Sequence, residues 1–503
     1  MKTVALDGNS LTLRDLIYIG EKNALVEIAD QACARVKESR KVVEKIVADD
    51  KVVYGVTTGF GQFADVVIPH EQVEQLQYNL VRSHSAGIGD SFAEDVTRMI
   101  MALRANVLAK GRSGISVEVI KLLLAMINKG IYPLVPEKGS VGASGDLAPL
   151  AHLASVMIGE GRARFGDLEG TGEEMLRIAG LEPCRLHAKE GLALINGTQV
   201  MTAVGAKALG LALRLSEIAD IAGAMSLEAL KGTVVAFDDR IHRERPYKGQ
   251  VQCAENMRRL LAESEIKESH KDCGKVQDSY TLRCIPQVHG PVRDTLEYAE
   301  NMLTIEMNSA TDNPMVFAED GELISGGNFH GQSIAFVMDF LKIAVAELGN
   351  ISERRTERLV NPALSELPAF LVREGGLNSG LMLAQVTAAA LVSENKVLCH
   401  PSSIDSIPTS GNKEDHVSMG TISARKALEV VDNVETILAI ELLAAAQALE
   451  FLKPLKPAKP LIPVVEKIRE RIPPWDTDRN MAAEILKMKD LIHERSFIKL
   501  AKG

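Results

Sequence analysis

The chain has 503 residues, of which 46% are hydrophobic and 25% are charged, a balance that excludes a mainly disordered protein. Its 57 Lys and Arg stand against 67 Asp and Glu, so the formal net charge of -10 leaves no basic surplus for binding phosphates. We therefore expect no nucleic-acid partner.

The residue types favour helices over an all-β fold. Aromatic residues make up only 4% of the chain, whereas helix-favouring Ala, Leu, Glu and Lys are frequent. The cysteines form no CxxC pair, so neither a zinc site nor a disulfide framework has its usual spacing. They are Cys33, Cys184, Cys253, Cys273, Cys284 and Cys399. We expect reduced, buried thiols.

The first 20 residues contain acidic groups and no small-residue cleavage site, which argues against a signal peptide. The chain also has no uninterrupted apolar stretch of the length that spans a bilayer. The sequence therefore predicts a cytoplasmic protein without a membrane partner.

The N-terminal part is predicted to alternate helices with glycine-rich loops. A helix capped by Ser10 and a surface helix over 34–50 come first, followed by short strand and loop over 52–68. Helix returns over 92–128, broken by Gly111 and Gly114. We expect the functional residues of this part to lie in its loops.

Long apolar helices dominate the rest of the chain. The pattern predicts five of them, over 198–231, 291–310, 330–359, 381–398 and 424–452. Such helices pack as a bundle. The predicted fold is therefore mainly α, a long central helix bundle with small strands and long loops. We expect an N-terminal domain over 1–200 and a C-terminal helical domain over 201–503.

Most common catalytic motifs are missing, including the P-loop, HExxH, GxSxG and the dinucleotide fingerprint. The segment GSVGASGDLAPLAH at 139–152 is different, because Ala143, Ser144 and Gly145 are small and precede Asp146, a plausible helix cap. Gly145 has no Cβ to block a tight turn, so its nitrogen can attack the carbonyl two residues back. Loss of the Ser144 hydroxyl would then leave a methylidene group conjugated with the new ring.

This segment resembles the loop from which the aromatic amino acid ammonia-lyases build 4-methylidene-imidazol-5-one (MIO) out of Ala-Ser-Gly. Further segments resemble family motifs and span almost the whole chain: 54–61, 79–89, 190–199, 276–290, 309–317, 325–331 and 414–419. Within the family they are most similar to the histidine-specific members. The resemblance implies the helical fold shared by aromatic amino acid lyases and the fumarase-aspartase type.

Several catalytic and binding roles are implied by matching positions. Tyr54 resembles the base that removes the substrate β-proton, and Tyr280 resembles a second tyrosine near the prosthetic group. Arg283 resembles the clamp for the substrate carboxylate, a task suited to a bidentate guanidinium. Asn196 resembles an amide that holds the prosthetic group and that carboxylate, and Gln277 resembles a polar orienting partner.

Three further positions resemble the walls of the substrate pocket. His84 matches the residue that contacts the substrate ring, where another imidazole can be hydrogen-bonded. Glu414 matches an acidic residue that faces the imidazole and binds it or assists proton transfer. Phe329 matches an apolar wall.

The resemblance implies a carbon–nitrogen lyase that converts L-histidine to trans-urocanate with MIO formed from Ala143, Ser144 and Gly145. It also implies a homotetramer with shared active sites and no dissociable cofactor or metal. Whether the substrate amine or ring attacks the prosthetic group is left open. Lys413 stands where many relatives have Gln, and Thr-Thr-Gly at 57–59 replaces Asn-Thr-Gly.

Three alternatives are weighed against this interpretation. A lyase or aminomutase acting on tyrosine or phenylalanine would keep the Ala-Ser-Gly triplet, and His84 with Glu414 argues against it, less firmly for tyrosine. A catalytically silent helical scaffold would be expected to lose the triplet or Arg283. A fumarase-type lyase would carry a GSSxMPxKxN-type loop, which is missing.

Overall fold

The computed structural model describes residues 2–501, and about 60% of the chain is helical. The helices are α1 Leu13–Gly20, α2 Asp30–Ala48, α3 Val73–His84, α4 Glu94–Ala109, α5 Val117–Lys129, α6 Leu147–Met157, α7 Gly172–Ile178, α8 Glu190–Ile195, α9 Gln199–Ala229, α10 Asp239–Arg243, α11 Lys248–Leu260, α12 Glu265–Ser269, α13 Tyr280–Arg283, α14 Ile285–Met307, α15 Gln332–Val360, α16 Pro362–Ser365, α17 Met382–Leu398, α18 Gly420–Glu450, α19 Ile462–Arg471, α20 Met481–His493 and α21 Arg495–Leu500.

The strands are short and form small separate sheets. They are β1 Lys2–Leu6, β2 Ala24–Ile28, β3 Ile88–Ser91, β4 Ile131–Pro133, β5 Pro136–Lys138, β6 Arg162–Phe165, β7 Leu168–Thr171, β8 Met315–Phe317 and β9 Glu322–Ile324. β1 and β2 pair in parallel, with Lys2 opposite Ala24. The β3–β5, β4–β6–β7 and β8–β9 pairings are antiparallel. The mainly helical fold predicted from the sequence is confirmed.

The chain divides into two compact units. The first contains residues 1–210, 300–339 and 401–425, and the second contains 211–299, 340–400 and 426–503. A single boundary near residue 200 does not describe this arrangement, because two later segments return to the first unit. The long helices α9, α14, α15 and α18 each run from one unit into the other.

The first unit is built around α4, in which every residue from Val96 to Ala109 is buried. This helix packs against α1 and α5. In the same unit α3, α6 and α8 pack against one another. Their ends carry His84, Asp146 and Asn196, so the packing of these helices brings three polar residues of the sequence motifs into one region.

The second unit contains a buried ion pair among its long helices. The Arg355 guanidinium donates to both carboxylate oxygens of Glu441, at 2.5 and 2.9 Å, and neither side chain is exposed. The Ser226 hydroxyl donates to the same carboxylate at 2.7 Å. Charges buried in this way need partners in a defined geometry. The pair therefore constrains how these parts of α9, α15 and α18 pack.

The predicted long helices agree with α9, α14, α15, α17 and α18, although α14 begins six residues before the predicted start at Pro291. Two local expectations were wrong. The hydroxyl of Thr12, not that of Ser10, caps α1 by accepting from the Asp15 amide. Residues 52–68 form turns and a single Thr58–Val67 bridge instead of a strand, because glycines and turn hydrogen bonds interrupt the extended backbone.

All six cysteines are free thiols, but the expectation that all are buried was wrong. Cys253 is buried, Cys273 is exposed and the other four are half-buried. Cys273 follows the short helix α12 in a polar segment, where no apolar face covers it. Among residues 2–501, every helix is too short or too polar to cross a membrane.

Candidate active site

A cavity of about 620 Å³ in the first unit brings together most residues predicted from the motifs. The predicted residues that line it are Tyr54, His84, Ala143, Ser144, Asn196, Phe329 and Glu414. They come from turns, helix ends and the segment before α18, and they lie far apart in the sequence. A second cavity of about 310 Å³ adjoins the triplet and is lined by Gly145 as well.

The Ala143-Ser144-Gly145 turn lies tightly against another backbone segment. Gly145 has a φ of 70°, and a Cβ at this position would lie 2.1 Å from the Gly197 carbonyl oxygen. Only glycine fits such an approach. The amide of Asp146 donates to that same Gly197 oxygen at 2.7 Å. The backbone contact therefore explains in physical terms why the triplet ends in glycine.

Asp146 anchors the triplet through its side chain. It is the residue before α6, as predicted, but its carboxylate does not cap that helix. Instead Oδ2 accepts from the backbone amides of Val200 and Met201 at the start of α9, at 3.0 and 2.9 Å. Oδ1 accepts from the hydroxyls of Ser140 and Thr421. Burial raises the pKa of Asp146, and these hydrogen bonds oppose that shift.

The Ser144 hydroxyl is in direct contact with a carboxylate. It donates to Glu414 Oε1 at 3.0 Å. The other carboxylate oxygen, Oε2, accepts from the hydroxyls of Thr409 and Ser410 at 2.6 and 2.9 Å. Backbone hydrogen bonds between Thr409 and Glu414 close this loop. The carboxyl group of Glu414 is thus held in place beside the triplet.

Tyr54 is half-buried in a turn that a neighbouring threonine closes. The Thr57 hydroxyl donates to the Lys51 carbonyl at 2.7 Å and accepts from the Val53 amide at 2.9 Å. The Tyr54 ring lies edge-on to Phe60, with the ring centroids 6.5 Å apart. Thr57 therefore has a structural role in holding the Tyr54 turn.

His84 is the last residue of α3 and lies partly buried at the cavity. Its Nδ1 lies 3.0 Å from the Ser83 hydroxyl. Burial lowers the pKa of His84, and the negative charge of Glu414 offsets part of that shift. The ring is therefore favoured in its neutral form, which offers one donor and one acceptor nitrogen.

Asn196 is held by its backbone, and its side chain is left free for another partner. Arg104, which is completely buried, donates from Nη1 to the Asn196 carbonyl at 2.7 Å and to Gln199 Oε1 at 2.8 Å. Burial lowers the pKa of Arg104 to about 10. Among the described residues the buried Oδ1 of Asn196 has no hydrogen-bond partner. A buried acceptor without a partner is costly unless a ligand or water satisfies it.

Phe329 lines the cavity beside two imidazoles. The rings of His330 and His416 are parallel, with an interplanar angle of 2° and centroids 5.7 Å apart. His330 Nε2 lies 3.3 Å from the His416 carbonyl oxygen. Both histidines line the same cavity, so this wall combines an aromatic surface with polar ring nitrogens.

Three predicted residues belong to the second unit and line neither cavity. Gln277 is exposed, and the Tyr280 side chain is 71% exposed. The Arg283 guanidinium carbon lies 4.6 Å from the centroid of the Tyr280 ring. Its Nε is buried without a hydrogen-bond partner in the described part of the chain. The predicted carboxylate clamp is therefore not part of the cavity of the same chain.

The cavity also contains residues that were not singled out in the sequence. Asn313, His330 and His416 line it, and each lies inside a motif that was matched as a whole. Their polar character within those motifs was a usable signal. Leu80 and Leu192 also line the cavity and lie in the matched segments 79–89 and 190–199, but their apolar side chains look like ordinary buried positions of helices.

Comparisons with known proteins agree with this geometry. The family model described as aromatic amino acid lyase matches residues 11–470. A histidine ammonia-lyase of Alkaliphilus oremlandii (strain OhILAs) is 53% identical over 498 residues, covering 99% of this chain and 98% of that protein. The crystal structure of histidine ammonia-lyase from Trypanosoma cruzi is 49% identical, with a TM-score of 0.93 and coverage of 100% and 95%.

A tyrosine aminomutase from Streptomyces globisporus has a similar structure. It is 41% identical, with a TM-score of 0.94, and the match covers 99% of this chain and 98% of that one. The fold is thus common to proteins named for different amino acids. Both the family model and these full-length relatives show that the chain belongs to the aromatic amino acid lyase family.

Proposed function

We propose that this protein catalyses the histidine ammonia-lyase reaction, the non-oxidative elimination of ammonia from L-histidine to give trans-urocanate, as the first step of histidine degradation. The observation that carries the proposal is the cavity in which Ser144 of the Ala-Ser-Gly turn lies with a tyrosine, an imidazole and a carboxylate. The names of the similar proteins over nearly the full length support it.

The residues around the triplet fit the MIO group that the family resemblance implies. Gly145 has the conformation and the close backbone contact that exclude any other residue, and the Ser144 hydroxyl has a carboxyl partner. The unpartnered Oδ1 of Asn196 is available to hold the ring. Once formed, the group supplies an electrophile that activates the substrate for loss of ammonia. The proposal requires no dissociable cofactor and no metal.

Tyr54 is proposed to take the β-proton of the substrate. A phenol has an ordinary pKa of about 10, so it acts as a base only when neighbours favour its ionised form. The Thr57 hydrogen bonds hold its turn, and the edge-on contact with Phe60 orients the ring toward the cavity lining. The protein thereby supplies the orientation that lowers the barrier for proton transfer.

His84 and Glu414 are proposed to select an imidazole over a phenyl ring. The neutral His84 ring can donate to or accept from an imidazole nitrogen, and the Glu414 carboxylate can accept from an imidazole N–H. A phenyl ring would leave both groups unpaired, which costs binding free energy. The neutral form that burial favours at His84 supports this assignment.

We propose that a second copy of the chain completes the site, in a homotetramer with shared active sites. Arg283 and Tyr280 lie outside the cavity of their own chain, and the exposure of Tyr280 leaves it accessible to another subunit. Large apolar side chains are also exposed on α14, α15 and α17 of the second unit: Tyr298, Ile343, Leu383, Val386 and Val397. Packing of another subunit against these side chains would remove them from water.

The shared-site proposal has a direct test. Ser144→Ala and Arg283→Ala would each be inactive alone, because each tetramer would lack one half of every site. Unfolded together and refolded as a mixture, they would form some sites that combine an intact triplet with an intact Arg283. Recovery of activity only in the mixture is expected, and its absence alongside correct assembly would contradict the proposal.

The reaction itself is tested by ultraviolet absorbance after separate incubation with L-histidine, L-tyrosine and L-phenylalanine, since each conjugated product absorbs where its substrate does not. A product from histidine alone is expected. Ser144→Ala is the control for the prosthetic group, and His84→Leu is expected to shift preference toward phenylalanine. A product from tyrosine would favour the second candidate function, a lyase or aminomutase that acts on tyrosine. The structural similarity to a tyrosine aminomutase motivates this alternative.

We also propose that the reaction takes place in the cytoplasm. The free state of all six cysteines supports this, because reducing compartments maintain thiols. The carboxylate and the ring of the proposed substrate each have a matching group in the assigned residues. L-Histidine and further copies of the chain are the partners that this assignment requires.

A further inference from the structure

The Ser144 hydroxyl lies on the carboxyl group of Glu414 while the triplet is still an unmodified peptide. The distance from Ser144 Oγ to Glu414 Oε1 is 3.0 Å, and 270 residues separate the two positions in the chain. Formation of MIO removes that hydroxyl. The contact therefore belongs to the chain before maturation and cannot contribute to any later step.

We propose that Glu414 is a catalytic residue of prosthetic-group formation: it gives the proton with which the Ser144 hydroxyl leaves as water. This proposal rests on the proposed function, because it requires that the triplet form MIO. It assigns Glu414 a task that precedes substrate binding. The same carboxyl group can face the substrate afterwards, because its partner atom has then left.

The dehydration is balanced as follows. The Cα–H bond of Ser144 breaks and its electron pair forms the Cα–Cβ double bond, while the Cβ–Oγ bond breaks. In the resting chain the Glu414 carboxylate accepts from the Ser144 hydroxyl, so it first takes a proton from solvent in the cavity. It transfers this proton to Oγ, which leaves as water, while the Cα proton passes to solvent and Glu414 returns to a carboxylate. No oxidant or reductant is needed, and the separate ring closure releases its own water from the Ala143 carbonyl.

The hydrogen bonds of Glu414 suit this task. The hydroxyls of Thr409 and Ser410 hold Oε2, which leaves Oε1 directed at Ser144. Because hydroxide is a poor leaving group, an acid at this oxygen lowers the barrier, and positioned acids typically contribute about 10²- to 10⁴-fold in rate. The half-buried carboxyl group borders the cavity, so solvent can reprotonate it.

The other carboxylate beside the triplet does not occupy this position. Both oxygens of Asp146 are engaged by the amides of Val200 and Met201 and by two hydroxyls. Its function is to anchor the turn. Ser144 and Glu414 both line the 620 Å³ and the 310 Å³ cavities, so released water has space to leave.

The test compares Glu414→Gln with Asp415→Asn. Gln keeps the size of Glu, and its oxygen can still accept from Thr409 and Ser410, but it cannot transfer a proton. Asp415 is the neighbour of Glu414 and lines the same cavity, but Ser144 hydrogen-bonds to Glu414. Asp415→Asn is therefore the matched control, because it makes the same acid-to-amide change at the next position. Trypsin releases residues 139–162 as one peptide, because Lys138 precedes it and Arg162 ends it. Its mass shows whether none, one or two water molecules have been lost.

We expect the wild-type and Asp415→Asn peptides to have lost two waters. In freshly produced Glu414→Gln we expect the peptide that has lost two waters to accumulate more slowly, by a factor of about 10² or more. Glu414→Asp is expected to recover part of the rate, which a merely structural role of the side chain would not predict. Processing of Glu414→Gln at the wild-type rate would overturn the proposal.

The outcome also separates this proposal from the proposed function. A wild-type peptide that keeps its full mass would contradict MIO formation altogether. If Glu414→Gln fails to fold, Thr409→Val provides the second measurement, because it retains the acid and frees Oε2 from one of its two hydroxyl donors. We expect the peptide that has lost two waters to accumulate more slowly in Thr409→Val than in the wild type. An unchanged rate would overturn the role of the held carboxyl group.

Discussion

Asp146 in the first unit and Asp220 in the second are equally buried but are stabilised in opposite ways. Asp146 is held by hydroxyl groups and backbone amides, and burial raises its pKa. Burial also acts to raise the pKa of Asp220, but the Arg293 charge and the hydrogen bond from His289 outweigh it and lower the pKa to about 2. Burial lowers the pKa of His289 itself, so Arg293 is the cation that balances Asp220. Burial alone therefore does not decide the charge of a carboxyl group.

The difference follows the task of each residue. Asp146 positions a backbone turn and needs only donors. Asp220 joins segments of the helical bundle, and it accepts from Arg293 at 2.5 Å, from His289 at 2.8 Å and from the Cys253 thiol at 3.2 Å. Removing one member of such a buried ion pair leaves the other charged and unpaired.

The largest effect is expected for Asp220→Asn. The amide cannot balance the buried Arg293 charge, so we expect the free energy of unfolding to fall by about 3–5 kcal/mol. Urea denaturation followed by circular dichroism measures this. Asp146→Asn is the matched control, because it makes the same change at a buried carboxyl group without a cationic partner in its hydrogen bonds. Equal losses in the two variants would contradict the comparison.

The two carboxyl groups should also respond oppositely to pH. The native pKa of Asp220, about 2, lies below the ordinary value near 3.9, so its contribution is complete above that value. We expect about 2 kcal/mol to be lost as pH falls from about 4 toward 2. The raised pKa of Asp146 has the reverse effect: stability is present below the ordinary pKa and is lost as pH rises through the native one.

Unfolding free energies of the wild type and both Asn variants across this pH range measure these contributions. The advantage of the wild type over Asp220→Asn should shrink toward low pH. The advantage of the wild type over Asp146→Asn should shrink toward neutral pH. If both differences in unfolding free energy changed with pH in the same direction, the opposite pKa shifts of Asp146 and Asp220 would be wrong.

A smaller effect is expected for Asp146→Asn itself. The amide oxygen can still accept from Val200 and Met201, and the amide NH₂ can donate to the hydroxyls of Ser140 and Thr421. We expect a loss of about 1 kcal/mol at neutral pH. Thermal denaturation provides the measurement. A loss as large as that of Asp220→Asn would mean that Asp146 also balances a charge.

The smallest effect concerns thiol reactivity in the native protein. Cys253 is buried, and burial raises its pKa well above the usual range, whereas Cys273 is exposed. Iodoacetamide should label Cys273 first and leave Cys253 almost unmodified. Mass spectrometry of the labelled peptides checks this. In Asp220→Asn we expect faster labelling of Cys253, because its thiol loses the carboxylate to which it donates. In Asp146→Asn we expect the wild-type rate. Equal rates in the two variants would show that the packing around Cys253 does not depend on Asp220.

The long helices could be predicted from sequence because apolar residues repeat at helical spacing, and this pattern is local. The triplet was recognisable for a local reason too, since Gly145 follows a small serine-containing turn and lacks a Cβ. The start of α14 was predicted six residues late, because a proline is most favourable in the first turn but is tolerated inside this helix.

Contacts between distant residues were not accessible in the same way. The spacing of cysteines indicated no metal site, yet the potential ligand atoms of Asp220, Cys253 and His289 lie within 4.8 Å of one another. The structure shows His289 and Cys253 on the same Asp220 oxygen, with the Arg293 cation on the other. This arrangement is a buried hydrogen-bonded ion pair, and a further cation would be repelled.

The active site also combines features that are local in the sequence with contacts between distant residues. The helices, the Ala-Ser-Gly triplet and the polar residues of the motifs can be found in the sequence, because these features depend on residue types within a few turns of chain. That Asp146 caps α9, that Ser144 contacts Glu414 and that Arg283 lies outside the cavity is seen only in the folded chain. These relations depend on how helices pack, and packing is set by the sum of many weak contacts between distant segments.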